Sequence, residues 1–167
     1  MEQNDPILID AIKTKVLWPP PTDPNIKLNL NFAGKYEILK GLNNQPIHVE
    51  EVLKLNETTP KRNGFFIEAR ASDGELFSNT LYFEIYNNWT GLLIEHNPYW
   101  LAKLTQKNRN VWILPHCISK HKKVEIINEN DRKVSTLAVN VGWFFSNIFH
   151  KSFTYTSGHK GLHKPHF

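Results

Sequence analysis

The chain has 167 residues, 40% of them hydrophobic, with a formal charge of +4 and a pI near 9.1, which suits one soluble domain of the usual ~100–200 residues with material for a core. The lysines are scattered, and their one cluster, Lys120-His121-Lys122-Lys123, has no interleaved aromatics to stack bases, so the basic balance reads as a solvated turn and no nucleic-acid partner is expected. Cys117 is alone, which excludes an intramolecular disulfide and a cysteine metal cluster; Ile7-Leu8-Ile9 is cut off by Asp10 before it could form a signal-peptide core, and no stretch reaches the ~18 apolar residues of a transmembrane segment.

Asp5-Pro6 has the form of a helix start, with Asp as N-cap and Pro in the first turn, and Leu8, Ile12 and Val16 follow at fourfold spacing. The helix stops at Trp18, because Pro19-Pro20-Pro21-Thr22-Asp23-Pro24 reads as extended polyproline, an arm laid over the domain surface or else a PxxP-type ligand. Asn25 to Asn44 is an irregular, Asn-rich connection. Pro46 then opens a short helix whose Val49, Val52 and Leu53 share a face.

From Gly64 to Ser119 strand and helix alternate as in a parallel sheet with flanking helices. Phe65 to Ala69 is the first strand, with Phe65 and Ile67 expected in the core. Ser72-Asp73-Gly74-Glu75 fits a capping box opening a helix, and Phe77, Leu81 and Ile85 give that helix one apolar stripe. Gly91 to Glu95, "GLLIE", has the continuous apolar run of a buried parallel strand. Asn97-Pro98 caps the next helix, in which Leu101 and Leu104 face inward while Lys103, Gln106, Lys107 and Arg109 stay in water. Val111 to Leu114 is the third strand, and Val124 to Ile127 reads as another.

Two acids carry the functional signal. In doubly wound folds a ligand sits at the carboxyl ends of the strands, where a small-residue loop admits it and an acid about 20 residues on takes a ribose hydroxyl pair. Glu95 follows Gly74 by 21 residues, and a carboxylate can accept from both vicinal hydroxyls. Glu68 and Glu95 are therefore either the acids of a nucleoside-containing cofactor site or strand-end acids facing water. No G-x-G-x-x-G or G-x-x-x-x-G-K-[ST] occurs to cradle a phosphate.

The segments "GFFIEARASDGELFSNTLYFE", "NWTGLLIEHNPYWLAKLTQKNRNVWILPHCIS" and "DPILIDAIKTKVLWPPP" together resemble the Star proteins, whose domain is of the FkbM type among S-adenosylmethionine-dependent methyltransferase-like folds. The family motif acid-x-Gly-Ala-x-Asp-Gly falls on Glu68, Arg70, Ala71, Asp73 and Gly74, and its second motif on Glu95 and Asn97-Pro98. The resemblance implies the N-terminal half of a Rossmann-like methyltransferase fold, incomplete at the C-terminus. It divides the chain into a helical and Pro-rich arm (1–60), a partial methyltransferase-like domain (61–130) and a divergent, loosely packed tail (131–167). It also implies S-adenosylmethionine as cofactor, with Glu68, Arg70, Ala71, Asp73, Gly74 and Glu95 around it and Glu95 on the ribose.

Two departures from the family pattern point away from catalysis. Arg70 stands where the family has glycine, so it either crowds the cofactor's approach or reaches the cofactor carboxylate as a guanidinium fork. The later L-K-x-D-x-E-G segment has no counterpart between Lys120 and Phe167, which implies a truncated product or the need for a partner supplying the missing domain half. His159, His163 and His166 lie among Gly158, Gly161 and Pro165 and lack the rigid scaffold of a metal site. The expectation is a non-catalytic domain linked, as Star-like proteins are, to endoplasmic reticulum-to-Golgi and endosomal transport of membrane-protein cargo. The alternative is a methyltransferase acting on a hydroxyl or similar acceptor. Asn56-Glu57-Thr58 and Asn88-Trp89-Thr90 are glycosylation sequons, which matter only in a lumen; a chain standing alone would be cytoplasmic.

Overall fold

The computed structural model describes residues 5–32, 40–53, 63–119, 125–129 and 132–140. The chain opens with α1 (Pro6–Ala11) and a π turn (Ile12–Val16), then a 3-10 turn (Leu42–Asn44) leading into α2 (Gln45–Leu53). Next come β1 (Phe65–Ala69), α3 (Leu81–Asn87), β2 (Thr90–Ile94), α4 (Pro98–Leu104) with its 3-10 extension (Thr105–Lys107), and β3 (Trp112–Leu114). The remaining strands among the described residues are β4 (Cys117–Ser119), β5 (Glu125–Glu129) and β6 (Arg132–Asn140). The described residues of 18–115 form one compact unit, and those of 1–17 and 116–167 form another.

In the second of these units, the Asp5 carboxylate accepts the Ile7 amide at 2.9 Å and Pro6 occupies the first turn of α1, so the expected cap is the one that forms. The π turn closes with the Leu17 amide donating to the Ile12 carbonyl at 2.9 Å, and Leu8, Ile12 and Leu17 are buried. Strand β6 runs parallel to β4 and antiparallel to β5, in the order β4-β6-β5. Arg132–Asn140 thus pairs as a strand inside the segment read as a tail, and the histidines of that tail lie outside the described residues.

The unit spanning 18–115 is a parallel sheet flanked by helices, in the strand order β1-β2-β3. Trp18 extends it at one edge, exchanging two 2.9 Å backbone hydrogen bonds with Ile113. The chain after Trp18 is extended only as far as a bend at Thr22 and a turn at Pro24-Asn25, where the Asp23 carboxylate accepts the Asn25 amide.

The register places Phe66 beside Gly91 and Glu68 beside Leu93, so alternate residues of β1 face the helices. The buried residue is Phe66, and Ile67, expected in the core, is 37% exposed because it points to the other face of an edge strand. Phe66 lies against Gly91 so closely that a Cβ there would meet its ring. Around this contact pack Leu81, Phe83, Trp89, Leu93, Leu101, Leu104 and Ile113. On α2 the side bearing Ile47 and Glu50 turns inward, with Ile47 on the core and the Tyr82 hydroxyl donating to Glu50. Val49, Val52 and Leu53, read as sharing one face of this helix, are exposed.

The region after β1 departs most from the sequence reading. Ser72, Gly74 and Phe77 have φ of 51°, 74° and 60°, left-handed values that cannot continue a helix. No capping box forms. The Glu75 carboxylate reaches the Asn31 and Phe32 amides, and the helix begins only at Leu81. The Phe77–Leu81–Ile85 stripe therefore does not exist as a face: Phe77 and Ile85 are exposed, and Leu81, Tyr82, Phe83, Glu84 and Asn87 are buried. The cap of α4 does form, with the Asn97 side chain accepting the Tyr99 amide at 3.0 Å. Leu101 and Leu104 are buried as expected. Lys107 and Arg109, expected in water, are 5% and 3% exposed because each meets a buried carboxylate. Among the described residues no helix is long and apolar enough to cross a membrane.

Candidate functional site

The loop from Arg70 to Thr80 folds over the carboxyl ends of β1 and β2. Ala71 is buried and its amide donates to the Ile94 carbonyl at 3.1 Å, which lashes the loop to β2. Asp73 is buried and turns the chain: its Oδ1 accepts the Glu75 and Leu76 amides at 3.0 and 2.8 Å, an Asx turn in place of the expected helix start. Gly74 follows at φ 74° with Leu104 filling the space a Cβ would need, so glycine is required here for both conformation and room. Arg70 is exposed at φ 59°. The backbone at this position keeps the left-handed conformation that glycine adopts freely, at a cost to arginine of about 1–2 kcal/mol.

Glu95 closes the loop. It is 4% exposed; its Oε2 accepts the Ser72 amide at 2.8 Å, and its Oε1 accepts the amides of His96 and Asn97 at 2.9 and 2.8 Å. The His96 Nδ1 lies 3.6 Å from the same oxygen. A ribose diol would need both oxygens of this carboxylate, and each already accepts from the backbone. Oε1 already takes two amides and Oε2 one, which leaves about one of the carboxylate's roughly four lone-pair sites, on Oε2, for a ligand hydroxyl.

Glu68 serves the other flank of the loop. Its carboxylate accepts the Ser78 hydroxyl at 2.8 Å, the Asn79 amide at 2.7 Å and the Thr80 hydroxyl at 2.5 Å. Of the sequence-predicted set, Ala71 and Glu95 meet at the end of β2, Ala71 through the Ile94 carbonyl and Glu95 through the Ser72 amide; Arg70, Asp73 and Gly74 lie in the same loop, the Gly74 carbonyl held by Arg109, and Glu68 is engaged with residues 78–80.

The buried cations were missed by the sequence reading. Arg109 Nε donates to Glu84 at 2.8 Å, its Nη1 to the Gly74 carbonyl at 2.8 Å and to Ser78 Oγ at 3.1 Å, and its Nη2 to Thr80 Oγ1 at 3.1 Å. Glu84 also accepts the Asn110 amide, and Glu68 stands 3.9 Å from the guanidinium. Lys107 Nζ lies 2.6 Å from Glu75 Oε2. Burial by itself raises the Glu75 carboxyl, but the Lys107 ammonium and the Asn31 and Phe32 amides outweigh it and hold the group below its usual value. The available signal was position: "KNRNVWIL" sets two cations immediately before a buried strand, where the chain has already turned inward.

Among the described residues no group of three His, Cys, Asp or Glu side chains could hold a metal ion. No family model, no curated protein and no solved structure matches the chain.

Proposed function

We propose that this chain is an FkbM methyltransferase-like domain of the Star kind that has given up catalysis and acts as a binding unit in endoplasmic reticulum-to-Golgi and endosomal transport of membrane-protein cargo. The observation that carries the non-catalytic reading is the state of Glu95: the acid assigned to the ribose is buried and accepts three backbone amides. The strand order β1-β2-β3 supports the fold assignment, since the usual order of a doubly wound sheet begins 3-2-1. Arg70 at a left-handed φ supports descent from a glycine position, because a bulky residue adopts that conformation only when its surroundings impose it.

Titration calorimetry with S-adenosylmethionine on the natural chain, Arg70→Gly and Glu95→Ala tests the reading. The expected result is no measurable heat of binding for the natural chain, with Arg70→Gly the variant most able to recover it. Transfer of labelled methyl from the cofactor to a hydroxyl acceptor by the natural chain, lost in Glu95→Ala, would overturn the non-catalytic reading in favour of the alternative, a cofactor-dependent methyltransferase. The transport role is tested by following a membrane cargo from the endoplasmic reticulum to the Golgi in cells lacking the protein; unchanged transit would refute it.

A further inference from the structure

Asn88 is the C-cap of α3, exposed and at φ 55°, and it opens the sequon Asn88-Trp89-Thr90. We propose that Asn88 is an N-glycan acceptor whose modification the folded domain accommodates; its use in cells rests on the endomembrane reading above. Such acceptors are modified as the chain emerges, before folding, so the folded domain sets one condition: the acceptor amide must end at the surface. Asn88 meets it by one residue, because Asn87 beside it is 4% exposed. The rest of the sequon holds the site in place, with Trp89 buried on Phe83 at 5.1 Å between ring centroids and the Thr90 hydroxyl donating to the Asn110 carbonyl at 2.6 Å.

The amide nitrogen suits the chemistry. Nδ2 donates one hydrogen to the Oδ1 of Asn63, itself exposed, at 2.7 Å. In the transfer, Nδ2 bonds to the anomeric carbon of an oligosaccharide carried on a lipid pyrophosphate, the carbon–oxygen bond to the pyrophosphate breaks, and the amide loses one proton as the lipid pyrophosphate departs. One N–H remains on the modified amide to donate to Asn63. Asn88 also lies before β2, at the opposite end of that strand from Glu95, and a glycan there leaves the loop over the strand ends uncovered.

The test sends the full chain into the secretory lumen of a eukaryotic cell behind a cleavable leader and maps asparagines converted to aspartate by peptide N-glycanase. The expected result is conversion at Asn88, lost in Asn88→Gly and Thr90→Val and kept in Thr90→Ser, with the thermal midpoint of the purified glycoprotein unchanged by glycan removal. Asn88→Gly keeps the left-handed cap, so its loss of glycan is independent of folding. An unmodified Asn88 in the translocated chain would overturn the proposal, as would a glycosylated chain that fails to fold. The protein from its native cells is mapped in parallel. If it is unmodified while the translocated chain is modified, the endomembrane reading fails and Asn88 stands as an acceptor.

Discussion

Replacing Arg109 with methionine should be the most damaging single change in the 18–115 unit. The guanidinium is 1% exposed, and its removal leaves the Glu84 carboxylate without its cation and the Gly74 carbonyl without its donor. Breaking a buried ion pair from one side costs about 3–5 kcal/mol, and an unpaired buried carbonyl about 1–3 kcal/mol. Because the two share one donor they do not add, and a total loss of about 4 kcal/mol is the working figure. That is a large part of the ~5–15 kcal/mol that holds a domain together. With a urea slope of about 2 kcal/mol/M, the midpoint should fall by about 2 M. Four of the five tryptophans, Trp18, Trp89, Trp100 and Trp112, lie in this unit, so fluorescence reports on it. Arg109→Lys should recover little, since an ammonium cannot present Nε, Nη1 and Nη2 in one plane to four acceptors. The double variant Arg109→Met/Glu84→Gln should be less damaged than the sum of its parts. A midpoint shift under ~0.5 M for Arg109→Met, about 1 kcal/mol at that slope, would refute the assignment of Arg109 as the hub.

The Glu75 carboxyl titrates in the folded chain below its usual 4.5, so the stability it contributes is fully present above that value and is lost as pH falls through the folded one. Glu75→Gln should flatten the acid limb of a stability-against-pH curve, and an unchanged limb would count against the Lys107 pair. Arg70→Gly relieves a left-handed arginine and should leave the thermal midpoint equal or higher, whereas Arg70→Val should lower it, a β-branched residue being worse still at φ 59°; equal midpoints for the two variants would show that the loop does not impose this conformation. Gly91→Ala should cost about 1–3 kcal/mol by forcing Phe66 aside, and denaturant unfolding that shows no loss would mean the ring can move. Asn97→Ala should cost about 1 kcal/mol as a lost helix cap, read by the same method.

The sequence alone determined the elements whose causes are local. Asp5-Pro6 and Asn97-Pro98 carry their own caps, and "FFIEA" and "GLLIE" are short apolar runs of strand length, so the caps and the first strand formed where their residues placed them and the second strand formed one residue earlier, at Thr90–Ile94. The sequence also pointed to the loop between Arg70 and Gly74 and to Glu95, because an acid ending one strand and a glycine turn ending its neighbour have a fixed separation in a parallel sheet. Only the tertiary structure decided what those groups do. Ser72-Asp73-Gly74-Glu75 has every residue of a capping box, yet Lys107 and the Asn31 and Phe32 amides compete for the Glu75 carboxylate and win it, and no local pattern records a partner 32 or 44 residues away. Lys107 and Arg109 look solvated by residue type, and their burial follows from carboxylates at Glu75 and Glu84 that the fold brings to them. The same holds for Glu95: its chemistry was legible as an acceptor, but whether it would accept from a ligand or from Ser72 depended on where the loop came to rest.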